Sequence, residues 1–169
     1  TDFHIELMKI AKEVYHADII TFHDDMGTQR SSFFSPTTFE EVMLPHYKRM
    51  NDAAHEMGLY VNFHSCGCVG NQIENFIAAG FDSWEGQDAC NDKVGILGKY
   101  GDELAQVSSF SPDPDGKLSD EEYVQAVKDR VHDYGKEGRY IAWYRENNPE
   151  RREKGYETMY TESRKFYCD

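Results

Sequence analysis

The segment Tyr60-Val61-Asn62-Phe63-His64-Ser65-Cys66-Gly67-Cys68 sets an imidazole and two thiols at the end of a short apolar run. Side chains alternate with period two along a strand, so His64 and Cys66 fall on one face. Nitrogen and sulfur donors of this kind are the pair that zinc prefers. A catalytic zinc takes three protein ligands and keeps a fourth position open, so His64 and Cys66 need a third donor. Glu85, closing the run Phe81-Asp82-Ser83-Trp84-Glu85, is the preferred one, with Cys90 and Cys68 behind it. Successive strands of a parallel sheet are usually neighbours, roughly 5 Å apart, which brings a carboxylate at Glu85 to the same point. Cys168 is expected to be an inert terminal thiol.

Two further groups sit where an apolar run stops. Asp24 and Asp25 follow Ala17–Phe22 and His23, and Tyr144 and Arg145 follow Arg139–Trp143. Adjacent side chains of an extended chain point to opposite sides, so one of the two aspartates faces a site at that end. Its readings are a cation contact, a general acid, a substrate or supporting residue, or only the solvated start of a loop. Asp24, Asp25 and Tyr144 are therefore the candidate catalytic residues. Arg30, the cation of the loop that follows the aspartates, is assigned to the surface.

The elements that must hold these groups alternate along the chain. Residues 2–16 read as a helix with Phe3, Leu7, Ile10, Ala11 and Val14 on one face. Ala17–Phe22 is a strand. Ser35-Pro36 and the box Thr37-x-x-Glu40 open a second helix, kinked at Pro45 and ended by Gly58. After the His64 strand come a helix near 71–79 closed by Gly80, the Phe81–Glu85 strand, and a helix over Lys93–Tyr100. Leu104–Phe110 is a strand, Ser119-x-x-Glu122 caps a helix, Arg139–Tyr144 is the last strand, and Pro149 opens a helix burying Tyr156, Tyr160 and Phe166. Five βα units in this order predict an α/β fold of parallel strands with right-handed crossovers, a partial (β/α)8 barrel. Ligands of such sheets sit beyond the carboxyl ends of the strands, where His64, Cys66, Glu85, Asp24, Asp25 and Tyr144 all lie.

Length and charge bound the partners. The 169 residues are read as one domain, 1–169, long enough for a buried core. A net charge of -13 argues against nucleic acid and anionic membrane surfaces, which need a basic face. No apolar run approaches the roughly 20 residues of a bilayer span, and the first residues carry no signal-peptide pattern. The four cysteines are expected to be reduced thiols of a cytoplasmic protein. The chain opens without a methionine, as a segment of a longer protein would. Five strands cannot close an eight-stranded barrel, so self-association through open sheet edges is a further expectation.

The run SPTTFEEVMLPHYKRM, with NFHSCGCVGNQIENFIAAGFDSWE after it, resembles the uroporphyrinogen decarboxylase superfamily. The likeness spans about Ala17 to Tyr144 and is more specific before Glu85 than after it. It implies a (β/α)8 barrel of about twice this length, with this chain as its C-terminal part. His-x-Cys-Gly at this strand resembles the zinc motif of the cobalamin-dependent methyltransferases in that superfamily. The resemblance implies a zinc held by His64 and Cys66, a small substrate, and a corrinoid carried by a partner protein. The late cysteine of that branch has no counterpart at Trp143-Tyr144, which leaves Glu85 as the expected third ligand. The decarboxylase's late Gly-His-Gly is also missing, since the corresponding stretch reads Ile141-Ala142-Trp143-Tyr144. Alternatives are a non-catalytic half barrel that associates with another chain, and a metal-independent, decarboxylase-like enzyme using Asp24 or Asp25.

Overall fold

The computed structural model describes residues 1–86, 88–135 and 138–167. Its element order follows the local signals closely. Helix α1 is Asp2–Glu13, and strand β1 is Ile19–His23. Helix α2 (Pro36–Thr38) runs through a π-helical turn, Phe39–Met43, into α3 (Leu44–Glu56). Strand β2 is Tyr60–His64, a 3-10 turn at Gly70–Gln72 leads into α4 (Ile73–Ala78), and β3 is Ser83–Glu85. Helix α5 (Lys93–Tyr100), strand β4 (Ala105–Phe110), α6 (Asp120–Arg130), β5 (Tyr140–Tyr144) and α7 (Pro149–Tyr167) complete the chain. The architecture is α/β, with strands in the sheet order β1-β2-β3-β4-β5 that consecutive βα units produce. Beside β2, the pairs to β1 and β3 are both parallel.

The chain divides into two compact units, Thr1–Gln106 and Val107–Asp169. In the first, Val61, Phe63 and Trp84 point to the helical side and are fully buried, with Phe39, Phe76 and Phe81 around them. Phe63 stacks on Phe81 at 4.4 Å and meets Phe76 edge-on at 4.8 Å. The opposite face of the same strands is polar. Thr21, Asn62 and Ser83 are in register there, and the Asn62 amide joins them: it donates to Thr21 Oγ1 (3.3 Å) and accepts from Ser83 Oγ (2.6 Å). In the second unit, Phe110, Tyr123, Val127 and Tyr144 form the core. Its helix α6 starts with a full capping box, Ser119 and Glu122 each accepting the other's backbone N–H.

Four expectations change. The cap of α2 is Ser35, whose Oγ accepts from the Thr38 amide (3.1 Å), so Thr37 belongs to the first turn. The irregularity near Pro45 falls before it: the Leu44 amide reaches back five residues to the Phe39 carbonyl, and Pro45 opens the α-helix that follows. Helix α1 buries Met8, while Phe3 and Val14 on the expected apolar face are 70% and 65% exposed. Helix α7 turns Gly155 and Glu162 inward with Met159 packed on the core, so Tyr156 and Tyr160, one residue further round the helix, face outward. No helix among the described residues is long and apolar enough to cross a membrane.

Candidate metal centre

Parallel register aligns the tips of three strands: His23 pairs with His64, and His64 with Glu85. The His23 and His64 rings stack at 4.5 Å. Beyond the tips, the loops after β1 and β2 stay zipped. The Asp24 amide donates to the His64 carbonyl (3.1 Å), Met26 N–H to Ser65 Oγ (3.0 Å), and Cys68 N–H to the Thr28 carbonyl (2.7 Å). Gly67 makes this possible. Its φ is +91°, and a Cβ there would collide with the Gly27 backbone.

The loop after β3 is tied to the same stretch. Asn91, 5% exposed, accepts from the Val69 and Gly70 amides (3.0 and 2.9 Å) and donates to the Gly67 carbonyl (2.9 Å). Asp88 accepts from the Gly67 amide (2.6 Å). Cys68 and Cys90 are joined as a disulfide, with Cα atoms 5.6 Å apart. This corrects the expectation of reduced thiols and removes both sulfurs as alternative ligands in this state. Cys168 lies outside the described residues.

The result is a compact donor group. Cys66 Sγ is 3.3 Å from His64 Nε2, Asp25 Oδ1 is 3.6 Å from the same nitrogen, and one ligand atom from each residue lies within 4.8 Å of the others. Ligand atoms on a tetrahedral zinc, with bonds of 2.0–2.3 Å, stand about 3.3–3.6 Å apart. Two edges of the triangle already have that spacing. The same Asp25 oxygen accepts the Cys66 backbone N–H at 2.8 Å, which fixes the carboxylate against the thiol. Glu85 lies on the other side of the imidazole, with Oε1 3.3 Å from His64 Nδ1 and its side chain 8% exposed. Asn62 Nδ2 approaches its second oxygen at 3.5 Å. So the carboxylate that shares Nε2 with the thiol is Asp25, and Glu85 addresses the nitrogen behind it.

No protein-family model and no curated protein matches this chain.

The electrostatics fit a cation. Burial, together with the carboxylates of Asp25, Asp88 and Glu85, pushes the Cys66 thiol up from its ordinary pKa. The thiolate is therefore disfavoured until positive charge arrives, which a divalent ion at the triangle would supply. The adjacent aspartates diverge as an extended backbone requires. Asp24 turns to the helical side and accepts from the Tyr47 hydroxyl, while Asp25 turns to the thiol. Burial, then the hydrogen bond to Asp24, raises Tyr47 far above a free phenol and keeps it a donor. Tyr144 belongs to the second unit, where its hydroxyl bonds that of Tyr123 and donates to the Arg151 carbonyl (3.3 Å). Arg145 lies over the Trp143 ring at 5.0 Å, and Arg30 is exposed. Sequence reasoning missed Tyr47, Asp88 and Asn91. Asn91-Asp92 before a helix was the one available signal, since Asp92 caps α5 at the Gly95 amide (3.0 Å).

Proposed function

We propose that this chain carries a zinc centre that activates a small substrate for methyl transfer, with the methyl group delivered by a corrinoid on a partner protein. The observation that carries the metal reading is the triangle of His64 Nε2, Cys66 Sγ and an Asp25 oxygen, with both edges at His64 Nε2 at tetrahedral spacing. The corrinoid and the transfer chemistry come from the resemblance to the cobalamin-dependent methyltransferases. A bound zinc lowers the pKa of a coordinated thiol or water and so presents a nucleophile near neutral pH.

The chain's own residues have distinct tasks around it. His64, Cys66 and Asp25 hold the ion and leave one position for substrate. Glu85 stands 3.3 Å from His64 Nδ1, on the side from which a carboxylate supports a metal-bound histidine. Tyr47 fixes Asp24 beside the site.

Metal analysis of protein prepared with added zinc tests this reading. About one zinc per chain is expected, with Cys66→Ala and His64→Ala each losing more than the ~10–100-fold in affinity that removal of a supporting partner costs. Protein that takes up no zinc, or a Cys66→Ala variant that keeps it fully, overturns the reading. Transfer from a methylated corrinoid to a panel of small thiols then tests the chemistry separately.

A further inference from the structure

A cavity of about 430 Å³ opens in the first unit, lined by Arg30, Ser32, Asn71 and Asp92, with Cys68 and Cys90 in its wall. Cys90 is exposed and Cys68 partly so, and both line the cavity. Disulfides are most needed where a small domain cannot build a core. This unit has one: Phe63, Phe76 and Trp84 are fully buried. The loops that the disulfide spans are also held by the three hydrogen bonds of Asn91 and by Asp88, none of which uses a cysteine side chain. The bond therefore joins segments that are already joined. Its opening changes the chemistry of the cavity wall while those hydrogen bonds stay available to hold the chain.

We propose that Cys68 and Cys90 form a redox-gated metal site: closed as a disulfide, and, once opened by a dithiol reductant, a two-thiol chelate for a soft divalent cation on the cavity wall. In the opening step a thiolate of the reductant attacks the Cys90 sulfur. The Cys68–Cys90 bond breaks, and Cys68 leaves as a thiolate and takes a proton. The reductant's second thiol then attacks the mixed disulfide and releases Cys90 as a thiol. Two electrons pass from the dithiol, which becomes a disulfide, and its two protons end on the two cysteines. Cα atoms 5.6 Å apart suit a sulfur–sulfur bond. They also suit two sulfurs on one zinc-sized ion, about 3.8 Å apart for bonds of 2.3 Å, after side-chain rotation alone. Asp92, the cap of α5, lines the same cavity and makes that wall acidic. This pair shares no ligand with the His64 centre, so it stands or falls independently of the proposed function.

The test uses the full chain in a Cys66→Ser/Cys168→Ser background, which leaves this pair as its cysteines. Native protein is treated with a phosphine reductant, and alkylation is mapped by peptide mass spectrometry. Cadmium is then titrated while thiolate-to-cadmium charge-transfer absorbance is recorded. Both cysteines should become alkylatable without denaturant, and an absorbance that is absent from the oxidised protein should appear and saturate near one cadmium per chain. Cadmium should then protect both cysteines from alkylation, and adding Cys90→Ser should abolish saturable binding. A bond that opens only in denaturant overturns the proposal. So does a reduced pair that gives no absorbance and no protection, or saturable binding that survives Cys90→Ser.

Discussion

The two compact units finish their strands in the same kinds of residue and use them differently. In the first, the groups at the tips of β1, β2 and β3 converge: an imidazole, a thiol and a carboxylate meet, with a second carboxylate behind the ring. In the second, Tyr144 and Arg151 pair off within the unit. Tyr144 meets Tyr123, and Arg151 reaches Asp113 (2.9 Å) and the Leu118 carbonyl (2.8 Å). Among the described residues, no trio of possible metal ligands gathers in that unit. Polar chemistry at a strand end thus has two outcomes. Convergence needs side chains from neighbouring strands to share one point, and the tight contact of Gly27 and Gly67 supplies that in the first unit.

That glycine contact gives the sharpest way to break the contrast. Trp84 and Trp143 are the chain's two tryptophans, one in each unit, so single-tryptophan backgrounds report the units separately. Gly67→Ala forces a Cβ into the Gly27 backbone at φ +91°. It should cost about 4 kcal/mol or more in the denaturant transition seen by Trp84. Gly116 in the second unit also has positive φ, +67°, but a Cβ there meets nothing within 4 Å. Gly116→Ala should cost about 1 kcal/mol in the Trp143 transition, the penalty of the left-handed conformation alone. Equal costs would mean that the close approach of the two loops is dispensable.

A middle-sized effect separates converging from paired groups. Glu85→Gln keeps the shape but removes the charge behind His64, and should weaken zinc binding about tenfold in competition with a chromogenic chelator. Tyr144→Phe should leave zinc affinity unchanged and lower the stability of its own unit by about 1 kcal/mol. A Tyr144→Phe variant that loses zinc would reverse the assignment.

The smallest effect is electrostatic and belongs to the second unit. Burial pushes the Asp113 carboxyl up, but the Lys117 and Leu118 amides and the Arg151 guanidinium outweigh it and hold it below the usual carboxylate range. A depressed folded value stabilises above the unfolded pKa of about 3.9, and that contribution disappears as pH falls through the folded value. Stability read by Trp143 should therefore decline on acidification below about pH 4. Asp113→Asn should flatten that part of the profile, and an identical profile in the variant would remove Asp113 as its source.

Local signals were legible where the chain itself supplies the partner. The Ser119–Glu122 box and the span Lys93–Tyr100 needed neighbours three or four residues away, and both are present as read. The parallel strand order followed from the alternation of elements, and the His64-Cys66 spacing already placed both donors on one side. What remained hidden depends on where loops travel after a strand. Asp25 against Asp24 is decided by the zipping of two loops 40 residues apart in sequence, through contacts such as Met26 with Ser65. The Cys68–Cys90 bond needs the β2 and β3 loops to meet, and spacing alone does not reveal that. The exposed faces of α1 and α7 mislead for a different reason. Periodicity shows which residues share a side, while burial needs a neighbour on that side.

The register of β1, β2 and β3 ties the proposed metal site to correct assembly. His23, His64 and Glu85 occupy one row across the three strands, and Phe22, Phe63 and Trp84 occupy the row before it. A slip of one residue would exchange the two rows between faces, putting imidazole among the aromatic rings and indole on the polar side. No misaligned sheet can keep the ligands while losing the core, or the reverse. The proposed ion would thus not template the sheet: it would only audit one already correctly threaded, and its capture should trail the burial of Trp84 during refolding.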